Sequence, residues 1–156
     1  MPINLTIKEV LKKAIQKEID SQNLYGYLSQ KVTNETAKDA FQKLVLQEQI
    51  HQQLLECYLR GELKEGTLLG GERIDYKIAE YFDQPEISPN MQLKDVFLLA
   101  ANREKASHEL YLSLSQIHPD GTARRMLEEL ASQELEHKQK VEFLYTEVAF
   151  PQTAGG

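Results

Sequence analysis

The sequence predicts an all-α protein, an antiparallel four-helix bundle made of two repeated helical hairpins joined by one long crossover. Three observations lead there. Four long segments carry apolar residues at alternating steps of three and four, the period of a bundle core. Prolines and glycines fall almost entirely outside those segments. The chain also repeats itself: displaced by 86 residues, 18 of the 52 pairs from Leu5 to Glu56 are identical without a gap. Among them Glu18 falls on Glu104, Glu48 on Glu134, His51 on His137, Tyr25 on Tyr111 and Gln47 on Gln133. Amphipathic patterning accounts for shared leucines, but not for shared Glu, His, Tyr and Gln.

The first segment runs from about Thr6 to Val32 and opens Thr6-Ile7-Lys8-Glu9, a capping-box pattern. The second runs from about Asn34 to Arg60 and stops at Gly61. About 30 residues with several glycines follow, long for a structureless loop. A short helix near Asp75–Phe82 is expected there, within a connection that crosses the length of the bundle. The third segment runs from about Gln92 to Ile117 and stops before Pro119. The fourth runs from about Thr122 to Val148, with Pro151 just beyond. The connections around Thr33-Asn34 and Pro119-Asp120-Gly121 are tight, so each pair of segments reads as a hairpin.

These boundaries make residues 1–150 one domain and leave 151–156 as a tail expected to be disordered. Hydrophobic residues at 41% and charged residues at 27% are ordinary for a soluble globular chain. No apolar run approaches the roughly 18–20 residues of a membrane span, and no signal peptide is expected ahead of Ile3. A net charge of −6 argues against a nucleic-acid partner, which would need a basic face. The sole cysteine, Cys57, excludes an internal disulfide and a Cys-x-x-Cys knuckle, and fits the cytoplasm.

The core stripes carry the functional signal. They read Ile7, Leu11, Ala14, Glu18, Ser21, Tyr25, Leu28, Val32 in the first segment and Ala37, Phe41, Leu44, Glu48, His51, Leu55, Tyr58 in the second. The third reads Leu93, Phe97, Ala100, Glu104, Ser107, Tyr111, Leu114, and the fourth Ala123, Leu127, Leu130, Glu134, His137, Val141, Leu144, Val148. Each is apolar at its ends and has a Glu near its middle; two have Glu-x-x-His there. Four carboxylates in one buried layer would repel one another and lack solvation. Two divalent cations would neutralise them. Two Glu from two helices, with a Glu-x-x-His from each of the other two, is the ligand set of carboxylate-bridged two-metal bundles. Carboxylate with imidazole suits iron or manganese, with zinc possible. The candidate ligands are therefore Glu18, Glu48, His51, Glu104, Glu134 and His137.

Other residues have competing readings. Tyr25 and Tyr111 lie two turns beyond Glu18 and Glu104, either packing in the core or hydrogen bonding near the metals. Gln47 and Gln133, each four residues before a ligand histidine, either hold the opposite imidazole or make an ordinary inter-helix bond. Ala14, Ala100, Ser21 and Ser107 flank the Glu layer, either leaving room for metals and a diatomic ligand or only permitting close helix packing. His118, next to Pro119, is expected at the surface. His108 lies one step off the core stripe.

With hairpins, crossover and ligands in place, the chain resembles the ferritin-like superfamily, specifically the rubrerythrin-type di-iron domain. The resemblance rests on Glu18, Glu48-x-x-His51, Glu104, Glu134-x-x-His137 and the run EKASHELY at Glu104–Tyr111, and spans about residues 5–148. It implies a non-haem di-iron centre that reduces hydrogen peroxide or dioxygen, or in some members oxidises ferrous iron. Two departures matter. The rubredoxin-like domain with paired Cys-x-x-Cys motifs is missing from this chain, so electrons would come from a separate, rubredoxin-like donor. One turn after Glu104, where typical members carry a further Glu, this chain has Ser107, which leaves a symmetric six-residue set. Glu48 and Glu134 would bridge the metals, with Glu18 beside His51 and Glu104 beside His137. Three functions stay open at this point: a di-iron oxidoreductase, an iron-oxidising or iron-handling protein, and a non-catalytic metal-binding bundle. A homodimer is expected, from the long crossover and repeated hairpins.

Overall fold

A computed structural model describes residues 5–62, 73–74 and 92–149. Its elements are β1 (Leu5–Thr6), α1 (Ile7–Lys31), α2 (Glu35–Leu59), β2 (Arg73–Ile74), α3 (Leu93–Gln116) and α4 (Thr122–Ala149). Each helix begins and ends within about a residue of its expected limits. The local chemistry explains why. The Thr6 hydroxyl accepts from the Glu9 backbone N–H at 3.1 Å, and Glu9 accepts from the Thr6 N–H at 2.8 Å, closing the capping box. Asn34 caps α2 by accepting from the Ala37 N–H at 3.0 Å. Past its end, Gly61 adopts φ +75°, a left-handed conformation that strains any side-chain-bearing residue.

The core divides into two apolar clusters, one at each end. The first joins Ile7, Leu11 and Ala14 from the start of α1 to Leu127 and Leu130 from the start of α4. It also takes Leu55 and Tyr58 from the end of α2, and Tyr111 and Leu114 from the end of α3. The second gathers the opposite ends, including Leu28, Phe41, Phe97 and Leu144. There Phe41 stacks on Tyr25 at 5.9 Å and meets the edge of Phe97 at 5.4 Å. Thus α1 and α4 run one way and α2 and α3 the other. The pairs in contact, α1 with α2, α3 with α4, α1 with α3 and α2 with α4, are all antiparallel. Leu59 and Leu93, joined by the crossover, lie at opposite ends of the bundle, the ferritin-like arrangement.

The expected short helix at Asp75–Phe82 and the tail 151–156 fall outside the described residues. The sequence reading also missed a feature: β1 pairs antiparallel with β2, Leu5 opposite Ile74 and Thr6 opposite Arg73. Two-residue strands leave no periodicity to read. One residue expectation is overturned. His118 is buried at 3% exposure, not on the surface. Its Nδ1–H donates to the Leu114 carbonyl at 2.6 Å, and Nε2 accepts from the Tyr58 hydroxyl at 2.5 Å. Partners on both nitrogens offset the cost of burying the imidazole, and nothing in the local sequence announces the distant partner Tyr58.

Candidate metal centre

Between the two apolar clusters lies a buried polar layer. It contains Glu18, Glu48, His51, Glu104, Glu134 and His137, all buried. Each comes from the middle of its helix, where a three- or four-residue step turns it toward the axis. The i, i+3 step within each Glu-x-x-His then brings both side chains to one face.

The six side chains form two overlapping groups. One is Glu18, Glu48, His51 and Glu134, and the other is Glu48, Glu104, Glu134 and His137. Within each group one donor atom per residue lies within 4.8 Å of every other. Glu48 and Glu134 belong to both groups. The arrangement is symmetric, as the repeat demands. Nδ1 of His51 is 2.6 Å from Glu134 and 3.6 Å from Glu18, and Nδ1 of His137 is 2.7 Å from Glu48 and 3.7 Å from Glu104.

Two observations test whether a metal pair fits. First, Oε2 of Glu18, Glu48 and Glu104, Oε1 of Glu134 and Nδ1 of His51 are buried without a hydrogen-bond partner. His51 and Glu134 are close enough to bond at 2.6 Å, yet these two atoms do not meet at hydrogen-bonding angles. They converge as donors to a common centre do. Buried polar atoms are seldom left so, and five in one layer suit cations. Second, the other atoms of the same groups are held by the chain. Tyr111 donates to Oε1 of Glu18 at 2.5 Å, and Tyr25 donates to Oε1 of Glu104. Each tyrosine thus holds one oxygen of a carboxylate on the partner hairpin and leaves the second free. Gln133 Oε1 accepts from Nε2 of His51 at 2.6 Å, while its amide nitrogen donates to Glu129 at 3.2 Å. That fixes the imidazole proton on Nε2 and leaves the Nδ1 lone pair facing the carboxylates. The donor set fits two divalent ions.

The protonation pattern agrees. Burial, followed by repulsion from Glu134, holds Glu104 well above the usual carboxylate range. Burial also raises Glu48, which Glu134 and Glu18 raise further, and it raises Glu134, with Glu18 adding to the effect. Glu18 goes the other way: burial pushes it up, but the adjoining Glu48 and His51 side chains and the Tyr111 hydroxyl outweigh that and lower it. Burial alone would lower His51, yet its contacts with Glu18 raise it. His137 falls to about 4 through burial and repulsion from His51. Burial and the nearby carboxylates raise both tyrosines, so they remain protonated donors.

Gln47, unlike its repeat mate Gln133, is exposed and holds no imidazole. His108 donates from Nδ1 to the Ala131 carbonyl at 2.6 Å and ties α3 to α4. A residue that sequence reasoning missed is Lys17, 6% exposed, whose ammonium donates to the Arg103 carbonyl at 3.4 Å. Burial, then the Arg103 charge, lowers its pKa, against the pull of Glu134, Glu104 and Glu18. The signal was available: Val10, Lys17 and Leu24 form a second heptad stripe, repeated as Val96, Arg103 and Leu110.

The comparisons with known proteins agree with this geometry. No curated protein matches the sequence. A hypothetical protein from Pyrococcus furiosus has a similar solved structure, with TM-score 0.72 and 22% identity, over 94% of this chain and 92% of that one. At that identity the likeness speaks for the fold alone. The rubrerythrin family pattern matches residues 9–145, from the first turn of α1 almost to the end of α4 and across all six residues of the polar layer, and the chain belongs to the rubrerythrin family.

Proposed function

We propose that the chain holds two iron ions and reduces hydrogen peroxide or dioxygen with electrons from a separate donor. The observation that carries this reading is the pair of overlapping carboxylate–imidazole groups with buried, unpartnered donor atoms. Glu48 and Glu134 would be shared between the ions, with Glu18 and His51 completing one position and Glu104 and His137 the other. Manganese or zinc would fit the same donors. When bound, such a pair supplies two electrons, the number that splits peroxide to two waters with two protons.

The chain's own residues prepare that chemistry. Tyr25 and Tyr111 orient Glu104 and Glu18 and keep their phenolic protons. Gln133 orients His51. The apolar clusters above and below exclude bulk water from the layer. The sole cysteine, Cys57, has no second thiol with which to relay electron pairs, so the donor is a separate, rubredoxin-like partner. Among the described residues no helix is long and apolar enough to cross a membrane. We place the reaction in the cytoplasm. A homodimer belongs to this reading: Leu46, Ile50 and Leu54 form an exposed apolar stripe on α2. Its neighbours Gln42, Gln49 and Gln53 are uncharged and Lys43 is basic, so two acidic chains can meet there without opposing carboxylates.

The symmetric six-residue set, with Ser107 in place of a further carboxylate, favours a second reading in which Fe²⁺ is itself the substrate. A third is a non-catalytic bundle that buffers metal. Metal analysis of protein purified from cells, followed by optical titration of the reduced protein with peroxide, separates them. The preferred reading expects two irons per chain and one two-electron turnover, after which cycling requires added reductant. Sustained peroxide loss without a donor would point instead to disproportionation. Continuous consumption of Fe²⁺ with release of Fe³⁺ would favour the second reading, and a site filled with zinc and silent to peroxide the third.

A further inference from the structure

The internal repeat gives a control for the surroundings of the two histidines. His51 and His137 hold equivalent positions, yet their outer nitrogens meet different environments. His51 is fully buried, with Nε2 held by Gln133 at 2.6 Å. His137 is 5% exposed, and its Nε2 has no hydrogen-bond partner among the described residues. Instead, His137 lines a groove of about 450 Å³ between α2 and α4. Gln47, the repeat mate of Gln133, lines the same groove.

Five lining positions differ between the halves; at two of them Asp39 stands for Arg125 and Lys43 for Glu129, the residue that holds the Gln133 amide. Ala40 lines the groove where the other half has Met126, a buried core residue. Glu136 and Lys140 line it where the other half has Ile50 and Leu54. A long side chain is thereby replaced by a methyl group, and two apolar side chains by charged ones. The result is a polar groove that ends on a ligand imidazole. Asp39 and Glu136 offer it two carboxylates beside the ammonium groups of Lys43 and Lys140, and neither carboxylate makes a hydrogen bond or ion pair among the described residues. The opposite seam, between α1 and α3, is closed by buried Val10, Leu24, Val96 and Leu110 and holds the Lys17 amine at its centre. Apolar packing opposes the passage of a hydrated cation.

We propose that divalent metal ions enter and leave the centre through this groove, reaching His137 first. The inference rests on the metal-binding reading above. It assigns Asp39 and Glu136 to the mouth, Ala40 to the open wall and His137 to the inner end. The other half shows how to block it: Ala40→Met brings the buried Met126 side chain across, and Glu136→Ile removes a mouth carboxylate in favour of the residue at the equivalent position.

The test is stopped-flow absorbance of Co²⁺ binding to the metal-depleted full-length chain, with circular dichroism as a check on folding. Wild type should bind two ions. Each variant should still bind two, but at least about tenfold more slowly. The two substitutions lie on opposite walls, on α2 and α4, so if one variant does not fold the other decides. Two ions bound at the wild-type rate in a folded variant overturn the groove and leave the metal reading standing. Fewer than two ions bound by wild type overturn the metal reading, and the groove with it.

Discussion

Gln133 and Gln47 show how single residues of a duplicated site come to differ. Gln133 fixes the imidazole of His51, whereas Gln47 stands exposed beside His137. Gln133→Leu should therefore lower metal affinity by about 10–100-fold, the usual effect of losing a ligand's supporting hydrogen bond. Gln47→Leu should leave affinity close to wild type. Competition against a chelator of known strength measures both, and equal losses would contradict the asymmetry. Glu48 is shared by both groups, so Glu48→Ala should abolish the peroxide reaction, whereas Cys57→Ser should leave it nearly intact. Single-turnover oxidation of the reduced protein reads both. Residue types and spacing announced the six candidate ligands. Tyr25 and Tyr111 were legible only as residues near the layer, because each donates to a carboxylate on the other hairpin, 79 and 93 residues away.

At the scale of elements, the helix limits are set by local chemistry. The reciprocal Thr6–Glu9 bonds satisfy two backbone or side-chain groups at the start of α1, the helix that supplies Glu18. Thr6→Ala should cost about 1 kcal/mol of stability. Urea denaturation should show a lower midpoint with an unchanged slope. Because the cap lies three turns from Glu18, the number of metals bound should not change. A midpoint equal to wild type would mean that the cap contributes nothing measurable. Caps, Gly61 and Pro119 are short-range signals, and for that reason the helix boundaries were legible. His118 was not, since its burial depends on Tyr58, 60 residues earlier in the chain.

The whole molecule places its most expensive layer at its centre. Without metal, Glu48, Glu104 and Glu134 are raised well above an ordinary carboxylate value of 4.5, first by burial and then by neighbouring carboxylates, Glu18 among them. The folded chain then holds protons that the unfolded chain releases. The stability they contribute is complete below about pH 4.5 and is lost as pH rises toward their folded values. His51, also raised, acts in the same direction above 6.5. His137 opposes them, since its contribution is lost as pH falls from 6.5 to about 4. Between pH 5 and 7 the three carboxylates and His51 act one way and His137 the other, while Glu18, lowered, loses its contribution only below about 4.5. The metal-free protein should therefore melt at a higher temperature at pH 5 than at pH 7. The loaded protein should be the more stable of the two at pH 7, where deprotonated ligands bind the ions. Calorimetry at both pH values, with and without metal, checks each sign. A metal-free chain as stable at pH 7 as the loaded one would contradict the account.

By itself the sequence determined four helices, their limits, two hairpins of one design, and a Glu and Glu-x-x-His set on the buried stripes. Those features depend on periodicity, on capping within a few residues and on an internal repeat, all written along the chain. The tertiary structure decided which atoms meet: Tyr25 with Glu104, Tyr111 with Glu18, Gln133 with His51, His118 with Tyr58. It also decided that Lys17 is buried and that one histidine is sealed while its mate lines a groove. Side-chain contacts between helices depend on how the two hairpins rotate and interdigitate. That packing is set by the fit of both apolar clusters at once, and no local stretch of sequence carries it.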